Sequence, residues 1–152
     1  MRRLASLLPY IPVLVGVGWL ATRFRIVLGV FLIAHGLVHV MFVVPEPARE
    51  EGGLEWPFHL DRSWALSGLG SGPARAIGIL LMIATIAAFA VAGIALLADL
   101  GWWSGAAIAG AAASTALLGL YFHPMLVLGL AINAFVLTVA GLGWPTLSYS
   151  EA

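Results

Sequence analysis

Long apolar stretches, separated by short groups of charged residues, are the dominant pattern of the chain. Charged side chains are absent from residues 4–22, 26–45, 76–98 and 100–150. A helix needs about 20 mainly apolar residues to cross about 30 Å of hydrocarbon. The pattern therefore predicts four spanning helices, two of them in the last and longest stretch. Their predicted bounds are residues 26–44, 76–98, 102–122 and 125–142.

Pro124 marks the predicted boundary between the third and fourth spans. Proline lacks an amide proton but is well tolerated in the first turn of a helix, so Pro124 suits the start of the last span. None of the apolar segments alternates apolar with polar residues, as the strands of a membrane barrel do. We predict an all-α fold: an integral membrane four-helix bundle over residues 26–144, followed by a C-terminal tail at 145–152.

The first 25 residues are predicted to form a separate segment. Pro9 and Pro12 lie in the first half of the apolar run and would interrupt its helical hydrogen bonds. We therefore expect residues 1–25 to form an interfacial or shallowly inserted helix. A fifth span over residues 4–22 is the alternative.

The loop at residues 45–75 contains three apolar residues at helical spacing. Trp56, Leu60 and Trp64 recur every four residues, which would place them on one face of a helix. This spacing predicts a short amphipathic helix that lies flat on the outer end of the bundle.

Composition excludes several classes of protein. Of the 152 residues, 62% are hydrophobic and 9% are charged, and the mean hydropathy is +1.05. Soluble domains carry about 25% charged residues, so the predicted environment is the lipid bilayer. The formal net charge of +0 argues against a nucleic-acid partner, and the lack of cysteine excludes a disulfide scaffold.

The distribution of arginine predicts the orientation, since the chain has no lysine. Four arginines and no acidic residue precede the first predicted span, whereas the loop at 45–75 has three arginines and five acidic residues. The positive-inside rule therefore places the N-terminus in the cytoplasm and this loop outside.

Histidines are the main candidates for chemistry. His35 and His39 lie one helical turn apart, a spacing that can chelate a transition metal ion or place one imidazole on a haem iron. Asn133, in the last span, could hydrogen-bond to either imidazole and fix its tautomer, which adds it to the candidate cofactor-binding residues. The full set of predicted metal ligands is His35, His39, His59, Asp61 and His123.

A structural interpretation of the same residues stays open. Neutral histidines in a membrane also hydrogen-bond across helix interfaces, here to Ser114, Thr115 or Asn133. The third span adds small residues at every fourth position, beginning at Gly101 and Gly105, which allow neighbouring helices to approach closely. The chain has no cysteine and no nucleophile motif, which makes an enzyme the less favoured class.

The run from Arg25 to His39, RIVLGVFLIAHGLVH, resembles the first span of DoxX-like proteins and of other small bacterial four-helix membrane proteins with a His-Gly-x-x-His sequence. The resemblance implies a four-span fold in a bacterial or archaeal inner or plasma membrane. His39 stands where DoxX-like proteins often have a lysine, and residues 76–98 lack the glutamate that their second span often carries.

Three functions follow from these observations. The leading prediction is a non-catalytic structural or accessory subunit, whose partners are the helices of other membrane subunits or a second copy of the chain. The alternative is a metal- or haem-binding redox membrane protein that uses His35 and His39. A small-molecule transporter is the third.

Overall fold

The computed structural model describes residues 11–48, 52 and 55–143. Predictions for residues 1–10 and for the tail at 145–152 lie outside the described residues. Within the described part the fold is entirely helical, without strands. Four of its helices are long and apolar enough to cross a membrane, which confirms the predicted all-α four-span fold.

The four long helices are α1 (Ile11–Val38), α2 (Ser71–Leu97), α3 (Trp103–Leu120) and α4 (Val127–Gly141). Short 3-10 turns extend three of them. His39–Val43 continues α1, Ser67–Leu69 precedes α2, and Pro124–Leu126 leads into α4. Pro124 thus begins the last span as predicted, and the side chain of His123 caps this turn by accepting from the amide of Met125.

Helix α1 corrects the predicted boundary at residue 25. The helix runs without a break through Arg23 and Arg25, so no turn separates the end of the N-terminal segment from the first span. Pro12 is the second residue of the helix, where its missing amide proton costs no helical hydrogen bond. The alternative of a fifth span over residues 4–22 lies partly outside the described residues and stays a prediction.

The predicted helix in the outer loop is wrong. Residues 55–66 contain no helical turn; Leu60 is buried, whereas Trp64 is 72% exposed, so the two do not share a face. This segment is tied to the end of α3 instead: Ser63 Oγ donates to the carbonyl of Leu120 at 2.7 Å, and Trp64 Nε1 donates to the carbonyl of Gly119 at 2.8 Å. The last carbonyls of a helix have no partner within the helix, and here the loop supplies donors to them.

Consecutive helices pack against one another in chain order. The pairs α1–α2, α2–α3 and α3–α4 are in extensive contact, whereas α1 and α4 do not form such a packed pair in the part of the chain that the structure describes. The crossing of α1 and α2 is very close. A Cβ added at Gly93 would lie 2.5 Å from the carbonyl oxygen of Gly29, so only glycine fits there.

The two ends of the bundle are held by different contacts. At one end, Arg25 of α1 forms an ion pair with Asp99 in the turn between α2 and α3. At the other end, the buried Tyr121 donates its hydroxyl to the carbonyl of Ala74. Burial raises the pKa of the Tyr121 hydroxyl above its ordinary value of 10.0.

Candidate functional site

A group of buried polar side chains lies inside the otherwise apolar bundle. Helix α1 and the turn after it supply His35 and His39, α3 supplies Ser114, and α4 supplies Asn133; all four are buried. A polar group in the hydrocarbon region needs a hydrogen-bond partner because water is not available to it. These four residues satisfy that requirement largely with one another.

The hydrogen bonds run across three helices. His35 Nε2 lies 3.1 Å from Asn133 Oδ1. Asn133 Nδ2 donates to Ser114 Oγ at 2.8 Å and to Thr115 Oγ1 at 3.2 Å. Ser114 Oγ lies 2.8 Å from His39 Nε2, and His39 Nδ1 lies 3.0 Å from the carbonyl oxygen of His35. The predicted hydrogen bond between Asn133 and a histidine is therefore confirmed.

The chemistry of the acceptors assigns a direction to each bond. Carbonyl oxygens only accept, so His35 carries its proton on Nε2 and His39 carries its proton on Nδ1. His39 Nε2 is then an acceptor, and it receives the hydroxyl proton of Ser114. Donation consequently passes in one direction around a closed cycle, from His35 to Asn133, Ser114, His39 and back to the His35 carbonyl. We call these residues, together with Thr115, the polar cycle.

Aromatic rings hold the plane of the His35 imidazole. The ring of Phe31, one turn earlier on α1, stacks on it with a centroid distance of 5.8 Å and an interplanar angle of 4°. Phe89 of α2 contacts it edge-on at 5.1 Å. The imidazole is thus fixed by packing on two sides as well as by Asn133. Sequence reasoning did not find Phe89, because an apolar residue in an apolar helix carries no signal of its position beside a histidine.

The structure does not assemble the predicted metal site. No group of three or more His, Cys, Asp or Glu side chains that could hold a metal ion occurs among the described residues. His123 caps the turn before α4, and its Nε2 lies 3.8 Å from Glu55. His59 and Asp61 line a separate surface depression in the outer loop, with Glu46 and Arg75.

The two membrane histidines also do not fit a shared metal ion. Both ring nitrogens of His39 are engaged in the polar cycle, one as a donor to the His35 carbonyl and one as an acceptor from Ser114. A ligand to a metal needs a free nitrogen lone pair. The pair is therefore not arranged as a chelate, and the imidazoles contact each other edge-on at 5.4 Å.

A cavity of about 340 Å³ adjoins the polar cycle. His35 and His39 form its polar side, and the other residues that line it are apolar. It lies between α1 and α4, which do not form a closely packed pair. The remaining lining residues are Val38, Phe42, Phe58, Leu118, Met125, Leu126, Leu128, Gly129 and Ile132.

Comparison of the chain with protein-family models, curated proteins and solved structures finds no match. The resemblance of the first span to DoxX-like proteins therefore stays a prediction.

Proposed function

We propose that the protein is a non-catalytic integral membrane subunit that packs, through the outward face of α3, against helices of another membrane subunit or of a second copy of itself. The single observation that carries the proposal is the small size of the side chains on that face. Gly105, Ala109, Ala112 and Ala116 are all exposed, and their spacing of four, three and four residues puts them on one side of the helix.

The outward faces of the other spanning helices mix large and small side chains; α4, for example, also exposes Ala131 and Ala134. They present large apolar side chains to their surroundings, among them Leu80 and Ile94 on α2 and Leu128 on α4. On α3, within the described residues, Ile108 is the one large aliphatic side chain that is exposed. Among the described residues, a Cβ added at Gly105 would meet no atom within 4 Å, so packing within that part of the chain does not require the glycine.

Small residues on a membrane helix allow another helix to approach closely. Helix association in lipid gains little from the hydrophobic effect and depends on van der Waals packing between backbones. The small side chains on the outward face of α3 allow that kind of close contact. The branched aliphatic side chains on the outward faces of α2 and α4 are suited to contact with lipid chains.

The arrangement of the histidines supports a non-catalytic role. Each member of the polar cycle is used to join α1, α3 and α4. The metal-binding alternative has less support, because no group of three or more side chains that could hold a metal ion occurs among the described residues. We further propose a bacterial or archaeal plasma membrane with the N-terminus in the cytoplasm, which the arginines ahead of the first span support.

Site-specific photocrosslinking in native membranes tests the proposed face. A photoreactive amino acid is placed at Ala109 or Ala112, and the matched control position is Ala84, an exposed alanine on α2. We expect a discrete protein adduct from α3 and mainly lipid adducts from Ala84. A second copy and a different subunit are distinguished by the mass of the adduct.

A pair of substitutions gives an independent readout. Ala109→Leu removes the small face of α3 and is expected to abolish the adduct formed from position 112, whereas Ala84→Leu leaves it intact. Equal adduct patterns from α2 and α3 would contradict the proposal, as would an adduct that survives Ala109→Leu.

A further inference from the structure

We propose that the cavity between α1 and α4 binds an amphiphile that carries a hydroxyl group: an apolar chain with an O–H donor at its head, which hydrogen-bonds to Nδ1 of His35. This inference does not depend on the proposed subunit function, because it concerns a different side of the bundle from the face of α3. Three independent features of the cavity carry it.

The first feature is a nitrogen of His35 that has no hydrogen-bond donor in the polar cycle. His35 donates through Nε2 to Asn133, so the neutral ring has a lone pair on Nδ1. Within the described residues no donor reaches this nitrogen, whereas both nitrogens of His39 have partners. The side chain that holds the lone pair lines the cavity. His35 is one of the two polar residues of the lining, and a ligand with an O–H group would supply a donor for its unbonded nitrogen.

The second feature is the chemistry of the walls. Apart from the two histidines, every residue that lines the cavity is apolar. Phe42, Leu118 and Ile132 belong to this lining, so an alkyl or isoprenoid chain has apolar contacts throughout. The volume of about 340 Å³ is within the range of small-ligand sites. A carboxylate or phosphate head would find no cation here, because the described lining contains no Arg or Lys.

The third feature is access from the bilayer. Val38, Met125 and Leu128 line the cavity and are also 54%, 48% and 71% exposed. These positions lie within or beside the spanning helices, where the surroundings are lipid. The cavity thus opens sideways between α1 and α4, and a lipid-soluble molecule reaches it without passing through water.

A matched pair of probes tests the proposal. The protein is reconstituted in phosphatidylcholine nanodiscs with a dodecan-1-ol that carries a diazirine in its chain, or with the methyl ether of the same compound. After photolysis, labelled peptides are mapped by mass spectrometry. The two probes share the apolar chain but only the alcohol donates a hydrogen bond. We expect the alcohol to label residues that line the cavity at least about fivefold more than the ether does.

Three variants separate the hydrogen bond from the cavity and from general damage to the fold. His35→Phe is expected to reduce the ratio of alcohol to ether labelling to about one. Val38→Trp fills the mouth of the cavity and is expected to suppress labelling by both probes. Val91→Trp, at an exposed position on α2, is the control and is expected to label as the wild type does.

Labelling by the ether separates loss of the hydrogen bond from loss of the fold: in a folded His35→Phe variant the ether still labels the lining residues as in the wild type, whereas loss of the fold removes that labelling. Equal labelling by alcohol and ether in the wild type would overturn the proposal. Labelling spread evenly over all lipid-facing residues, or a ratio unchanged in His35→Phe, would overturn it too. A free isoprenoid alcohol and a diacylglycerol share the proposed chemistry, and competition of each against the labelled dodecanol distinguishes them as the source.

Discussion

Asn133 is the residue that connects most of the polar cycle. Its side-chain oxygen accepts from His35 of α1, and its side-chain nitrogen donates to Ser114 and Thr115 of α3. Because Asn133 is itself on α4, one side chain links three helices. The consequence is that a change at this position leaves several buried polar groups without partners at once.

Asn133→Leu is expected to destabilise the bundle by about 2 kcal/mol, from three interhelical hydrogen bonds in a membrane environment. Leucine has the same number of side-chain heavy atoms and the same branching as asparagine but no polar atom, so it removes the hydrogen bonds with a limited change of shape. The measurement is the free energy of unfolding in mixed micelles titrated with dodecyl sulfate.

The control for that experiment is Thr138→Ala, on the same helix. The hydroxyl of Thr138 is exposed and, among the described residues, bonds to the carbonyl of Ala134 within α4, so its loss is expected to change the free energy of unfolding by less than about 0.5 kcal/mol. A similar effect of the two substitutions would show that the polar cycle contributes nothing specific.

Tyr121 gives a prediction for alkaline pH. Its pKa is raised above 10.0 by burial, so the phenol of the unfolded chain ionises first as the pH rises. Deprotonation therefore favours the unfolded state, and stability is expected to fall as the pH increases above about 10. Tyr121→Phe removes this contribution. The thermal midpoint of the wild type should drop more steeply than that of Tyr121→Phe between about pH 9 and about pH 11, and parallel curves would disprove the assignment.

Part of the polar cycle could be predicted from residue types. His35, His39 and Asn133 are strongly polar residues in apolar helices, and lipid forces such residues to find one another. The direction of donation and the unbonded nitrogen of His35 could not be predicted, because they depend on which atoms meet in three dimensions. The cavity was also beyond sequence reasoning, since its walls are ordinary apolar residues.

At the level of helices, the crossing of α1 and α2 depends on two glycines. The backbones approach so closely that a side chain at Gly93 would meet the carbonyl oxygen of Gly29, which cannot move without displacing its own helix. Hydropathy places both residues in spans but gives no information on which glycines lie at a crossing.

Gly93→Ala is expected to lower stability by about 1 to 3 kcal/mol, because the added methyl group overpacks the crossing. Gly105→Ala is the matched control. Its surroundings are open, so there the higher helix propensity of alanine is expected to leave stability unchanged or raised by up to about 1 kcal/mol. The measurement is the thermal midpoint of each purified variant in dodecyl maltoside. Equal midpoints for Gly93→Ala and Gly105→Ala would contradict the close approach of α1 and α2 at Gly93.

The wrong prediction of an outer-loop helix also has a cause at this level. The spacing of Trp56, Leu60 and Trp64 fits a helix. Periodicity, however, takes no account of the backbone carbonyls at the end of α3, which have no hydrogen-bond partner within that helix. The side chains of Ser63 and Trp64 donate to those carbonyls. Tertiary hydrogen bonds therefore determine the conformation of the loop in place of local periodicity.

For the whole molecule, the number of spans and the last residue of each were predictable to within a few residues, because charged residues follow the first two spans and Pro124 separates the last two. The beginnings of α1 and α2 were not: α1 starts at Ile11 instead of residue 26, and α2 starts at Ser71, five residues before the predicted position 76. Gly70 adopts a φ of 79°, which ends the preceding turn, and Pro73 lies in the first turn of the helix, where it is tolerated.

The proposed orientation predicts which end of the bundle is reachable from outside the cell. The chain has no cysteine, so single-cysteine variants report position without background. Ser67→Cys, before α2, is expected to react in intact cells with a membrane-impermeant maleimide. Ala98→Cys, near the ion pair of Arg25 with Asp99, is expected to react only after the cells are opened. The reverse pattern would show that the N-terminus is outside.

The incomplete packing between α1 and α4 has a consequence for how the bundle exchanges molecules with its surroundings. A site entered sideways is filled from the two-dimensional pool of the bilayer, where strongly partitioning compounds are concentrated far above their aqueous level. Its occupancy would follow the mole fraction of a compound among the lipids, so dilution of the sample with buffer would scarcely empty it, whereas added phospholipid would.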